Sequence, residues 1–105
     1  MTDTNYIGSI VKILEAPRQK TVGKNTLRTQ FRVQLPQIRN KMTIAKLTFW
    51  GNLGRDILEY YKVNDYIIIE GYVSISKKKK SKKVEITVLK AYPFLLNSNV
   101  VNEKF

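Results

Sequence analysis

The stretch Thr43 to Trp50, TIAKLTFW, sets a cation, a hydroxyl and the chain's one tryptophan on alternate positions. In an extended strand alternate residues share a face. Lys46, Thr48 and Trp50 therefore stand together, with Ala45, Leu47 and Phe49 on the opposite side. A ring and an ammonium on one strand face suit a ligand surface, where the indole stacks on a planar base and the cation meets a phosphate; the alternative for Trp50 is an oligomer interface. Leu27 to Leu35 repeats the pattern, with Arg28, Gln30, Arg32 and Gln34 alternating against Thr29, Phe31, Val33 and Leu35. More cations gather in two connections. RQKTVGKNT, residues 18–26, holds Lys20 and Lys24; SKKKKSKK, residues 76–83, holds Lys77, Lys78, Lys79, Lys80, Lys82 and Lys83. Each strand taken alone also reads as an ordinary solvated face. What favours contact with a ligand is the face that Arg28, Arg32 and Lys46 share with Trp50. For the lysines of 77–83, diffuse attraction to a polyanion is the better reading.

The remaining composition is mostly exclusion. With no histidine and no cysteine, the chain lacks its commonest metal ligand, a neutral-pH general base, disulfides and thiolate metal sites. It carries no Walker Gly-Lys pattern, and its eight acids are scattered. No catalytic set, metal or cofactor is implied, so the expectation is a binding protein and not an enzyme. The net charge of +11 calls for a polyanionic partner. No apolar run approaches the roughly 20 residues of a membrane span, and MTDTNYIGS, without a basic region followed by an apolar one, is not expected to act as a signal peptide. Lys far exceeds Arg, and Ile, Asn, Tyr and Phe are frequent, as in genes of AT-rich genomes. That composition fits a plastid or, failing that, a bacterial cytoplasm.

The elements that must position these residues follow from period and punctuation. Tyr6 to Ala16 reads as a long first strand with Gly8 at a bend, ended by Pro17. Residues 18–26 read as a basic loop turning at Gly23-Lys24-Asn25. Leu27 to Leu35 is the second strand, residues 37–42 a second basic loop with Arg39 and Lys41, and Thr43 to Trp50 the third strand. Gly51 turns the chain and Asn52 suits an N-cap. Leu53 to Tyr61 is then a short helix, with Leu53, Ile57 and Tyr60 or Tyr61 on its inner face. Tyr66 to Ile75 is the fourth strand, with Ile67, Ile69, Gly71, Val73 and Ile75 inward. Residues 76–83 form a hairpin loop and Val84 to Leu89 the fifth strand. The fold class is all-β: a five-stranded OB-fold barrel with one short helix between strands 3 and 4. One domain spans 1–94, and residues 95–105 are expected to form a short, flexible tail.

With these residues set out, the sequence resembles the bacterial single-stranded DNA-binding protein family, in its divergent cyanobacterial and plastid-encoded branch. The specific block is LTFWGNLGRDILEYYKVNDYIIIEGYV, residues 47–73. Phe49-Trp50-Gly51, Leu53, Tyr60 or Tyr61, and Ile69-Glu70-Gly71 carry it; FRVQLP at 31–36 and VEITVLKAYP at 84–93 match more loosely. The resemblance implies an OB-fold, single-stranded DNA as ligand, no catalysis, and dimers or tetramers. It places Trp50 on the family's stacking aromatic at the end of strand three. The family's other aromatics are replaced here by Ile44 and by lysines, which implies weaker and more salt-dependent binding. NSNVVNEKF departs from the Gly-rich linker and acidic tip through which family members recruit partners, so recruitment through this tail is expected to be absent or altered.

The leading expectation is sequence-independent single-stranded DNA binding that protects strands in replication, recombination or repair, by a homo-oligomer with no membrane association. Two alternatives stay open: an RNA-binding or primosome-like accessory protein, and an OB-fold assembly subunit of a larger complex.

Overall fold

Alternating apolar residues require each strand to bury one face, and a closed sheet satisfies all of them around one core. The computed structural model describes residues 5–36, 42–78 and 81–94. The expectations for residues 1–4, for Arg39 and Lys41 in the loop at 37–41, and for the tail at 95–105 lie outside the described residues.

In chain order the elements are β1 (Tyr6–Ile13), β2 (Arg18–Val22), β3 (Thr26–Gln34), β4 (Ile44–Trp50), α1 (Asn52–Tyr60), β5 (Tyr66–Lys78) and β6 (Ser81–Pro93). They form one sheet in the order β1-β5-β6-β4-β3-β2, with a further pairing of β1 to β3. That pairing closes β1, β3, β4, β6 and β5 into a ring. Ile13 faces Val33 on one side, while Tyr6 to Lys12 run along Tyr72 to Tyr66 on the other. Every contact in the ring is antiparallel except β4 with β6, which is parallel. This is the expected five-stranded OB barrel, with α1 between its third and fourth members.

The inward residues are those the alternation assigns. Phe31, Val33, Ala45, Leu47, Phe49, Ile67, Ile69 and Ile86 are buried, and the rings of Phe31 and Phe49 stack at 5.4 Å. Ile57 seals the core from the helix, with Leu53 and Tyr61 packed beside it; Tyr60 is exposed. Gly54 is buried where α1 crosses β3: a Cβ there would stand 2.3 Å from the Thr29 hydroxyl oxygen. At Gly71 the sheet coils. The β5–β6 register shifts between Glu70 and Gly71, and a Cβ on Gly71 would sit 2.1 Å from the Thr87 carbonyl oxygen.

Several expectations need correction. The segment 18–26 is not all loop. Residues 18–22 form β2, a sixth strand outside the ring that hairpins onto β3 through the turn at Gly23-Lys24-Asn25. The cross-strand register supplies hydrogen bonds that a polar sequence does not advertise. The first strand stops at Ile13, whose N–H donates to the Asp65 carbonyl at 2.9 Å, so the turn before β5 takes over its pairing. Residues 76–83 are largely strand as well: Ser76 faces Lys83 and Lys78 faces Ser81. The fifth expected strand runs on to Pro93. Asn52 opens the helix instead of capping it. Gly51 holds the N-cap position with φ 69° and no side-chain cap bond. Ile75, expected inward, is exposed: its partner Val84 makes the last β4–β6 pair, so the position lies at the rim where the β5–β6 ribbon leaves the barrel.

Candidate nucleic-acid interface

Three cross-strand rows order the outer faces of the central strands. In the first, Lys20 on β2 pairs with Arg28 on β3, and Arg28 with Trp50 on β4. In the second, Arg18, Gln30, Thr48 and Thr87 follow one another across β2, β3, β4 and β6. In the third, Arg32, Lys46 and Glu85 cross β3, β4 and β6. Adjacent strands lie about 4.8 Å apart, and same-face residues along a strand about 7 Å. The three rows therefore make one continuous surface, which the first and third rows flank with cations.

Trp50 is 43% exposed, while its neighbour Phe49 is wholly buried. The indole thus lies outside the barrel, next to Arg28 and two strands from Lys20. Thr48 is different. It is only 7% exposed, and its hydroxyl accepts a hydrogen bond from Gln30 Nε2 at 3.0 Å. The pair forms a closed polar patch in the middle of the face, so Thr48 holds Gln30 and does not itself present a contact surface. Lys46 is exposed; Lys24 sits in the exposed turn of the β2–β3 hairpin, and Lys83 is exposed on β6. Lys79 and Lys80 lie outside the described residues, as do the side chains of Lys77, Lys78 and Lys82.

Arg32 is not a free cation. Its Nε and Nη2 donate to Glu15 Oε1 at 3.2 and 3.0 Å, and its backbone N–H donates to Glu15 Oε2 at 2.8 Å. These hydrogen bonds, with the charge of Arg32, hold the Glu15 carboxyl below its ordinary pKa and raise that of the guanidinium. Sequence reasoning missed Glu15. The residue stands 17 positions from its partner, and nothing local points to it. On the other side of the face, Gln19 donates to Thr29 Oγ1 at 3.1 Å and to the Gly54 carbonyl at 3.2 Å. That clamp ties β2 to β3 and to α1, and so fixes the strand that carries Arg18 and Lys20.

Where β3, β4 and β6 meet, a cleft of about 340 Å³ is lined by Arg32, Ile44, Ala45, Lys46, Lys83, Val84 and Glu85. Glu85 was also missed as a site residue. Alternation with Val84 and Ile86 already turns it outward, but only the parallel β4–β6 pairing sets it beside Lys46. A larger cavity, about 620 Å³, is lined by Tyr60, Tyr61, Asn64, Asp65, Tyr66, Pro93 and Phe94, and none of the predicted site residues lines it. Among the described residues no group of His, Cys, Asp and Glu could hold a metal, and no helix is long and apolar enough to cross a membrane.

Comparison with known proteins places this geometry. The chain is 42% identical over 104 residues to a protein of Trieres chinensis named "Putative single-stranded DNA-binding protein ycf41", an alignment covering 90% of this chain and 92% of the relative. The chain belongs to that family. No family model matches it. Among solved structures, it is similar to the SSB domain of a Synechococcus protein with a TM-score of 0.71 at 22% identity, over 88% of this chain and 98% of the other. It is similar to the small single-stranded DNA-binding protein of Streptomyces coelicolor with a TM-score of 0.72 at 12% identity, over 90% and 96% of the two chains. The second single-stranded DNA-binding protein of Mycobacterium smegmatis gives 0.69 at 19% identity, over 87% and 89%. At such identities these structures establish the shared fold. Membership rests on the ycf41 relative.

Proposed function

We propose that the protein binds single-stranded DNA with little regard to sequence and protects exposed strands during replication, recombination or repair. The observation that carries this is Trp50. A chain of charge +11 leaves its one indole outside the barrel, paired across the sheet with Arg28 and two strands from Lys20. Bases stack on the ring while Lys20, Arg28 and Lys46 neutralise phosphates, with Lys24, Lys83 and the remaining lysines of 77–82 adding attraction at longer range. Arg32 contributes less than its charge suggests, because Glu15 already neutralises it. The role is binding, not catalysis. The family name of the 42% identical relative supports the choice of single-stranded DNA over RNA or over a purely structural role.

The functional unit is a homo-oligomer. Tyr6, Ile10, Tyr66, Tyr72, Leu89 and Tyr92 are exposed on β1, β5 and β6, on strands other than those that carry Trp50 and Arg28. A second copy covering them buries apolar surface without obstructing the Trp50 face. The site of action is the plastid, supported by the AT-rich composition and by a relative from a plastid-bearing organism.

Titration with oligo-dT while following Trp fluorescence, repeated across a salt series, tests the reading. Quenching of the single indole and a steep fall of affinity with salt are expected. Equal affinity for duplex DNA without quenching would refute stacking. Tighter binding of oligo-U than of oligo-dT would move the ligand to RNA.

A further inference from the structure

The cleft between β3, β4 and β6 contains a group that phosphate binding does not explain. Its cations, Lys46 and Lys83, suit a nucleic-acid backbone, but Glu85 opens onto the same space. Lys46 and Glu85 are direct partners in the parallel β4–β6 pairing, and Lys83 stands two residues before Glu85 on the same strand face. The apolar lining is mixed in exposure: Ala45 is buried, Val84 half-buried and Ile44 exposed. The volume, about 340 Å³, falls within the range of ligand-binding clefts and suffices for one nucleotide. Among the described side chains, which leave out those of residues 76–82, the one ion pair is Arg32 with Glu15.

A carboxylate only accepts hydrogen bonds. Next to a phosphate it repels, so its place in a cationic cleft makes chemical sense if the ligand brings a donor. Bases differ in this respect. Cytosine offers its N4 amino group and adenine its N6 amino group, and a carboxylate accepts from either. Guanine presents a ring N–H beside an amino group. Thymine and uracil present one N–H between two carbonyl oxygens, which face a carboxylate unfavourably.

We propose that this cleft is a base-reading subsite in which Glu85 accepts from the exocyclic amino group of one nucleotide while Lys46 and Lys83 hold its phosphates. The inference rests on the single-stranded DNA reading above and adds a base preference to it. Along most of the strand, stacking and charge remain indifferent to sequence; at this one position a base carrying an amino group is preferred over thymine.

The test compares oligo-dC with oligo-dT of equal length, measured by anisotropy with the full chain and with the Glu85→Gln variant. A thermal melt of both proteins checks that the fold is intact. Glutamine keeps the size of the side chain but can both donate and accept, so it serves thymine as well as cytosine. The unmodified protein is expected to favour oligo-dC about fivefold, the lower end of what one specific base contact supplies. In the variant the ratio should fall to about one. A preference for oligo-dT in the unmodified protein would overturn the proposal. So would a variant that binds both strands more tightly with the ratio unchanged, since Glu85 would then merely repel phosphate. Failure of the unmodified protein to bind either strand would overturn the functional reading itself, and the two failures are thereby told apart.

Discussion

Replacing Glu15 by glutamine should make DNA binding more dependent on salt. Arg32 is 60% exposed on the ligand face, yet two of its side-chain nitrogens are held by one carboxylate oxygen of Glu15. A cation neutralised within the protein displaces few counterions from DNA. Freed, it adds one phosphate contact, and each such contact steepens the slope of log K against log salt by about 0.7 on single strands. A tenfold drop in salt should therefore gain the variant about fivefold more affinity than it gains the parent. Stability should fall little, because an ion pair this open to solvent is weak and the glutamine carbonyl still accepts from the Arg32 N–H. The assay is oligo-dT anisotropy across a salt series on both proteins. An unchanged slope would mean that Arg32 lies off the path of the strand. A loss of affinity at every salt concentration would mean that Glu15 orients Arg32 for DNA instead of competing with DNA for it. Acid offers an independent check of sign. The folded-state pKa of Glu15 is depressed, so the pair's contribution is present above the unfolded value and lost as pH falls through the folded one. The parent should then approach the variant only below the usual carboxylate range.

Trp50→Ala should abolish the fluorescence signal and weaken oligo-dT binding, followed by anisotropy, by about 1–3 kcal/mol, more than the loss of any single lysine in 77–83. Its melting temperature should hardly change, since the indole lies outside the core. Ile57→Ala removes the buried residue that seals the barrel from α1 and should cost about 2–5 kcal/mol in denaturant unfolding. Gly71→Ala drives a methyl into the Thr87 carbonyl, backbone that has little room to yield, and should cost about 1–3 kcal/mol or shift the β5–β6 register, visible in amide exchange. Wild-type stability in that variant would mean that the bulge absorbs a side chain.

The period-two pattern is local, and what depends on it was legible in the sequence. Ala45, Leu47 and Phe49 had to turn together and Lys46 and Trp50 away from them, because the pleat leaves no other choice once one face is buried. The strand count of the ring and the inward set of Phe31, Val33, Ile67, Ile69 and Ile86 follow from such local alternation, and the position of the helix from the turn at Gly51 and the helical spacing of Leu53 and Ile57. Thr48 shows its limit. Alternation assigns it to the outer face, and there it is, but only the cross-strand Gln30 decides that it is covered.

What tertiary structure alone decided is long-range. No composition marks Arg18–Val22 as a strand; it becomes one because β3 offers an unpaired edge and Gln19 can reach Thr29 and the Gly54 carbonyl. Glu15 meets Arg32 across 17 residues, and Glu85 meets Lys46 through a parallel pairing that joins the third and fifth strands of the ring. By itself the sequence determined which way the side chains of the central strands face and how much positive charge the protein carries. The closed barrel decided which of those charges stand free and which are already answered by a carboxylate, because pairing between distant strands obeys geometry that no local pattern encodes.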